Sequence, residues 1–175
     1  MIISGNNYFD LFGLSPAFPI DKKKLDTAYR QLQQVSHPDR FVNQPVEIQR
    51  KAVQETAQNI EAYHTLKLPV QRACYLLTLL GSDFDLHSYR VSDITLLMQQ
   101  MQYRDELNDI KQQGKFEKLE EFSDKLDKLT AETEASITLL FELDSEKNYA
   151  TLKNQICELQ FLNKLAIDLN EVEEH

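Results

Sequence analysis

Apolar residues recur three and four positions apart along most of this chain, the period of an α-helix and not the period of two expected for a strand. From Asp21, whose carboxylate suits a helix N-cap, Leu25, Ala28, Tyr29, Leu32 and Val35 fall on one face. Lys22, Lys23, Arg30, Gln33 and Gln34 lie mostly on the other. A second amphipathic pattern begins near Pro45 and carries Ala52, Val53, Thr56, Ala57, Ile60 and Tyr63 along one stripe. Two such stripes joined by a short loop predict an antiparallel helical hairpin. Ahead of it, Tyr8 to Leu14 reads as a lid of one or two helical turns, closed by Gly13 and Pro16, with Tyr8, Phe9, Leu11 and Phe12 offered to a core.

Pro69 suits a first helical turn and Gly81 a helix end, so Val70 to Leu80 is expected to be a short, very apolar helix buried between two units. Residues 1–80 then form the first unit, 81–90 a linker and 91–175 a second unit. Three further helices are expected in that unit, over Ser92 to Gln113, Lys115 to Leu143 and Glu146 to Asn170, with breaks near Gly114 and near Asp144-Ser145. The middle one has a near-heptad stripe of Leu119, Phe122, Leu126, Leu129, Thr133, Ser136 and Leu140, as a helix lying along two neighbours requires. The last presents Tyr149, Leu152, Ile156, Leu159, Leu162 and Ala166. The fold class is all-α, a hairpin unit followed by a three-helix bundle.

The first bundle helix departs from a single-striped pattern. At 100° per residue, Leu96, Tyr103, Leu107 and Ile110 make a core stripe, while Ile94, Leu97, Met98 and Met101 lie opposite. That second patch runs down the helix into Gln102, Asp105 and Asp109. Methionine on such a patch suits adaptable contact with a partner. Phe161, roughly opposite the core stripe of the last helix, completes the patch if the first and third helices of the bundle are neighbours.

Composition narrows the classes. Four Gly and five Pro leave little turn chemistry for a β architecture. The net charge of −9 is uneven: residues 1–80 hold 9 Lys and Arg against 7 Asp and Glu, and residues 81–175 hold 10 against 21. An acidic second half argues against nucleic acid as a partner. Met1 to Phe9 has neither a basic leader nor an apolar run of signal length, and no stretch reaches the length of a membrane span, so a cytoplasmic protein without membrane contact is expected. Cys74 and Cys157 match no redox or metal spacing and read as small apolar residues in a reducing compartment. The four histidines, His64 and His87 among them, are scattered, so neither a metal, a cofactor nor an enzyme active site is expected.

Between the two hairpin helices stands His37-Pro38-Asp39. Proline sets φ near −65° and pushes its predecessor toward extended geometry, so the helix stops here and His37 and Asp39 flank a stiff bend. A rigid charged loop at a hairpin tip suits docking. The hairpin, its basic helix and this tripeptide together make the first unit resemble a J-domain, the module that stimulates the ATPase of DnaK-type chaperones. Asn7-Tyr8-Phe9-Asp10-Leu11-Phe12-Gly13-Leu14, His37-Pro38-Asp39-Arg40-Phe41, Pro69-Val70-Gln71-Arg72-Ala73-Cys74-Tyr75-Leu76-Leu77, Leu97-Met98 and Arg104-Asp105-Glu106-Leu107 extend the resemblance over essentially the whole chain. It is to the HscB family of iron-sulfur co-chaperones.

The resemblance implies that the bundle binds an IscU-type scaffold and delivers it to an HscA-type chaperone, whose ATPase the first unit stimulates. The chaperone contacts it implies are His37, Pro38, Asp39, Arg40, Lys23 and Arg30, and the scaffold contacts are Leu97, Met98, Met101, Gln102, Asp105, Asp109 and Phe161. Gln31, Gln33 and Gln34 leave the end of the basic helix with fewer cations than many J-domains have, and Gln102 stands where a glutamate is common. The competing class is a helical adaptor in which the tripeptide is incidental.

Overall fold

The computed structural model describes residues 7–173 apart from Ser92, Lys115 and Asp144. The expected helix starts at Ser92 and Lys115, the break at Asp144 and the first six residues lie outside the described residues. Those described form helices and connecting turns without a strand, in two compact units that divide after Ser82. No helix among them is long and apolar enough to cross a membrane.

The first unit opens with α1, Tyr8–Leu11. Asn7 Oδ1 accepts hydrogen bonds from the Phe9 and Asp10 amides at 2.9 and 3.1 Å, and Asp10 Oδ2 accepts from the Asn7 amide in return. This reciprocal cap holds so short a helix together. Phe9 and Phe12 are buried, but Leu11, expected to point inward, is exposed. Tyr8 stacks on Tyr75 at 4.5 Å, and its amide donates to the Tyr75 hydroxyl.

Helix α2, Lys22–Ser36, starts where Asp21 Oδ1 accepts from the Lys24 amide, and it pairs with α3, Val46–Lys67. Tyr29 and Tyr63 stack across the pair at 3.9 Å, and the Tyr63 hydroxyl donates to Asp26. The inward rows differ in detail from the apolar pattern. Val35 is exposed, and half-buried Ser36 continues the row from Leu32. On α3, Val53, Ala57 and Ile60 are exposed, while Ala52, Asn59, Ala62 and Leu66 are buried. The polar residues are satisfied where they lie: Ser36 Oγ donates to the Leu32 carbonyl and accepts from Asn59 Nδ2. A polar side chain with a partner can enter an interior that a purely apolar count assigns to a neighbour.

Helix α4, Pro69–Leu79, belongs to this unit, where Val70, Arg72, Ala73, Leu76 and Leu77 are buried and α3 is its neighbour.

The second unit takes in most of the segment expected as a linker. Lys153 Nζ donates to the Asp83 carbonyl, the Tyr89 hydroxyl donates to Asn154 Oδ1, and Phe84 meets Tyr89 edge-on. Helices α5 (Ile94–Gln113), α6 (Leu119–Glu142) and α7 (Tyr149–Glu173) follow, α6 and α7 each entered through a 3-10 turn. Asp93 caps α5, and Gly114, at φ 62°, ends it in the left-handed region where a Cβ is disfavoured. The longest helix interface is between α6 and α7. On α6 the buried row keeps to Leu119, Phe122, Leu126 and Thr133 and then passes to Ile137 and Phe141, not to Ser136 and Leu140. A straight helix of 3.6 residues per turn drifts away from a strict heptad, so the facing row shifts by one position.

Candidate protein-docking surfaces

The α2–α3 connection is short and densely hydrogen-bonded. His37 ends α2 at φ −58° and ψ 126°, the extended geometry that Pro38 imposes, and Pro38–Phe41 form one 3-10 turn. The Asp39 amide donates to His37 Nδ1 at 3.3 Å. An accepting Nδ1 places the proton of the neutral ring on Nε2, which leaves that N–H as a donor. Asp39 Oδ2 stands 3.5 Å from the same Nδ1, and the two side chains retain 52% and 85% of their surface. Both polar ends of the tripeptide are therefore available to a partner on a turn that is already formed.

Three residues to which the sequence assigned no part in docking anchor this loop. Thr56 Oγ1 donates to the Ser36 carbonyl at 2.9 Å, Asn59 holds the Ser36 hydroxyl, and Gln49 Nε2 donates to the Val42 and Gln44 carbonyls. Asn59, a polar residue at an inward-facing position of an amphipathic helix, was the detectable signal. Arg40, implied as a chaperone contact, donates from Nη1 to the Gln34 carbonyl at 2.9 Å, so it caps the end of α2. Lys23, Thr27, Arg30 and Gln34 are all exposed and follow one helix row toward that cap. The row brings Lys23 and Arg30 to the same face and leads into the loop.

In the second unit, α5 carries opposed faces. Leu96, Leu107 and Ile110 are buried and Tyr103 is half-buried, while Ile94, Leu97, Met98 and Met101 are exposed by 71, 40, 65 and 67%. Adjacent large apolar side chains on one helix face are the usual mark of a protein contact. Gln102, Asp105 and Asp109 continue the row, all exposed, along a cleft of about 830 Å³ between α5 and the start of α6. Glu106 and Glu121 add to its acidic lining, and Lys125 crosses it to pair with Glu106 at 2.6 Å. Phe161 does not stand free. It is half-buried against the cluster of Leu107, Ile110, Phe122 and Leu162, with the Arg104 guanidinium 5.7 Å from its ring centroid.

One ionisable group is built into the interior beside this face. Glu158 of α7 is 7% exposed and accepts from Gln100 Nε2 at 2.6 Å. Burial raises its carboxyl above the usual carboxylate range, the Gln100 hydrogen bond pulling weakly the other way. A carboxyl whose pKa is raised on folding opposes folding at higher pH: the cost is absent below the unfolded pKa, grows as pH rises from there to the folded value, and is constant above it. Glu158→Gln, neutral and of the same shape, is therefore expected to raise the thermal midpoint at neutral pH. The gain should shrink toward zero as pH falls into the ordinary carboxylate range, and a gain independent of pH would contradict the assignment. Thermal circular dichroism across pH measures it.

Among the described residues no three His, Cys, Asp or Glu side chains are grouped to hold a metal ion. His64 is exposed on α3, with its ring edge-on to Tyr63, and the His87 amide donates to Asp85 in a turn. Cys74 and Cys157 lie half-buried in different units.

Residues 92–170 match the family profile described as the HSCB C-terminal oligomerisation domain. Over 169 residues, 96% of this chain and 97% of the other, the sequence is 37% identical to the co-chaperone protein HscB homolog of Shewanella pealeana. Among solved structures, chaperone HscB from Vibrio cholerae matches with a TM-score of 0.85 at 32% identity, covering 97% of this chain and 98% of that one. The human co-chaperone protein HscB shares the fold, with a TM-score of 0.85 at 21% identity over 96% of this chain and 82% of its own. The relatives are named as chaperones or co-chaperones, and the matched stretch covers nearly the whole chain, both units included. This chain belongs to the HscB co-chaperone family.

Proposed function

We propose that this protein is a non-catalytic, two-armed co-chaperone of iron-sulfur cluster assembly in the cytoplasm. The first unit docks on an HscA-type chaperone through the His37-Pro38-Asp39 turn and the Lys23–Arg30 row, and triggers its ATPase. The bundle holds an IscU-type scaffold on the Leu97, Met98 and Met101 face, with Gln102, Asp105 and Asp109 meeting its polar rim. Carrying both arms on one chain presents the scaffold to the chaperone at high effective concentration when hydrolysis is triggered.

The observation that carries this reading is the pairing, in one chain, of a preformed charged turn with an exposed apolar row that continues into an acidic cleft. Phe161 contributes from beneath, as a half-buried support for α5 under Arg104. The test is a steady-state ATPase assay of the chaperone with this protein added, with and without scaffold, alongside a calorimetric scaffold titration. Stimulation that rises further with scaffold supports the two-armed mechanism. Scaffold binding without stimulation leaves the helical adaptor, and absence of both ends the proposal.

Met98→Ala is expected to weaken scaffold binding about tenfold, since truncating a well-placed apolar anchor costs about 1–2 kcal/mol. Basal ATPase stimulation, measured without scaffold, should be unchanged. Loss of both activities in a helical variant would contradict the division of labour.

A further inference from the structure

Helix α5 is held to the bundle unevenly. Leu96 is buried near its start and Leu107 and Ile110 near its end, and the nearly three turns between them have no buried side chain. Within that span only Gln100 and Tyr103 are even half-buried. The proposed scaffold anchors sit on the same stretch: Leu97, Met98 and Met101 are within three residues of Gln100. The part of the helix that carries the docking face is thus the part with the least packing behind it.

Two polar contacts tie this stretch to α7. Gln100 Nε2 donates to Glu158 Oε2 at 2.6 Å, and the Arg104 guanidinium lies over the Phe161 ring. Gln100 and Arg104 are four apart on α5, and Glu158 and Phe161 three apart on α7, so the contacts are successive rungs of one seam. A helix secured by directional contacts at its waist has its rotation set by them, because a short hydrogen bond tolerates less rolling than an apolar contact does. The Glu158 carboxyl is also a costly group to bury, and a bundle selected for stability alone would place an apolar residue there.

We propose that the Gln100–Glu158 hydrogen bond positions the scaffold-docking face, setting the rotation of α5 on α7 so that Leu97, Met98 and Met101 are presented together. The proposal rests on the assignment of that face to the scaffold. Gln100 and Glu158 are positioning residues: they act through α5, and a preorganised face loses less freedom when a partner binds.

The test separates positioning from stability. Glu158→Leu removes the acceptor and the costly buried carboxyl together, so the thermal midpoint at neutral pH should stay level or rise. Calorimetric affinity for an IscU-type scaffold should nevertheless fall roughly tenfold, because a face no longer held in one rotation loses more freedom on binding. Glu158→Gln keeps an oxygen for Gln100 and should restore affinity to within about twofold of the parent. Gln100→Leu, at a half-buried position, should reproduce the loss and should add nothing to Glu158→Leu in the double variant. Affinity unchanged in both Leu variants overturns the proposal, as does an affinity that merely follows the thermal midpoint. A parent protein that binds no scaffold at all removes the docking face itself, whereas a parent that binds and loses affinity on Met98→Ala but not on Glu158→Leu defeats only the positioning role.

Discussion

His37→Gln is expected to reduce stimulation of the partner chaperone's ATPase by at least about tenfold, while the chain remains folded and still binds scaffold. In the turn, the imidazole performs two tasks on opposite edges of one ring. Nδ1 accepts the Asp39 amide and holds the 3-10 turn, and Nε2–H remains as an outward donor. A glutamine has a single flexible amide. If its oxygen takes the place of Nδ1, its nitrogen does not reach where Nε2 stood, and if it reaches outward the Asp39 amide loses its acceptor. Losing a docking hydrogen bond of this kind costs about 1.5–3 kcal/mol, or roughly ten- to a hundredfold in complex formation. The same substitution touches little of the fold, because the side chain is half exposed and the loop is anchored elsewhere by Thr56, Asn59 and Gln49. Its effect on stability should stay below about 1 kcal/mol. Undiminished stimulation by His37→Gln in a steady-state assay would refute the chaperone-docking role of the turn, and loss of helicity would show that the ring is structural.

The division between what the apolar pattern reveals and what it hides follows from this geometry. Helix positions were legible because each helix must turn one apolar stripe inward, and Leu25, Leu107, Phe122 and Leu159 could satisfy nothing else. The exposed apolar face on α5 was legible for the complementary reason: one helix cannot bury two opposed apolar rows in a single bundle core, and the row of Ile94, Leu97, Met98 and Met101 is the exposed one. The residues that escaped notice are polar groups satisfied inside. Ser36 and Asn59 lie inward where Val35 and Ile60 were expected, because they bond each other and the α2 end, a pairing invisible to a count of apolar positions. Glu158 escaped for the same reason, since its partner Gln100 lies 58 residues away in the sequence. Phe161 was half legible. Its position off the core stripe was real, but the guanidinium that covers it comes from another helix.

Arg72 is where this hidden polar chemistry bears hardest on the fold, and Arg72→Met is expected to destabilise the first unit by about 3–5 kcal/mol, the range for deleting a buried charged group that its surroundings are built to receive. The side chain is 4% exposed. Nε donates to the Phe18 carbonyl at 2.6 Å and Nη1 to the Leu66 carbonyl at 2.5 Å, while the guanidinium lies over the Phe18 ring. The first bond ties the segment ahead of α2 to α4. The second satisfies a carbonyl in the last turn of α3, where the helix can no longer do so itself. Methionine fills much of the volume but donates nothing, so both carbonyls are left in a closed interior with their desolvation uncompensated. A unit of this size has a total stability on the order of 5 kcal/mol, so most of it is removed. Amide hydrogen exchange should show protection lost through α2, α3 and α4 and retained in α5 to α7. Chaperone stimulation should fall with it, because the His37 turn hangs from the α2–α3 pair, while scaffold affinity should persist in the bundle. Protection retained in α3 and α4, with a thermal midpoint within about 2 °C of the parent, would show that the two carbonyls find other donors and that Arg72 is not the tie that holds the unit together.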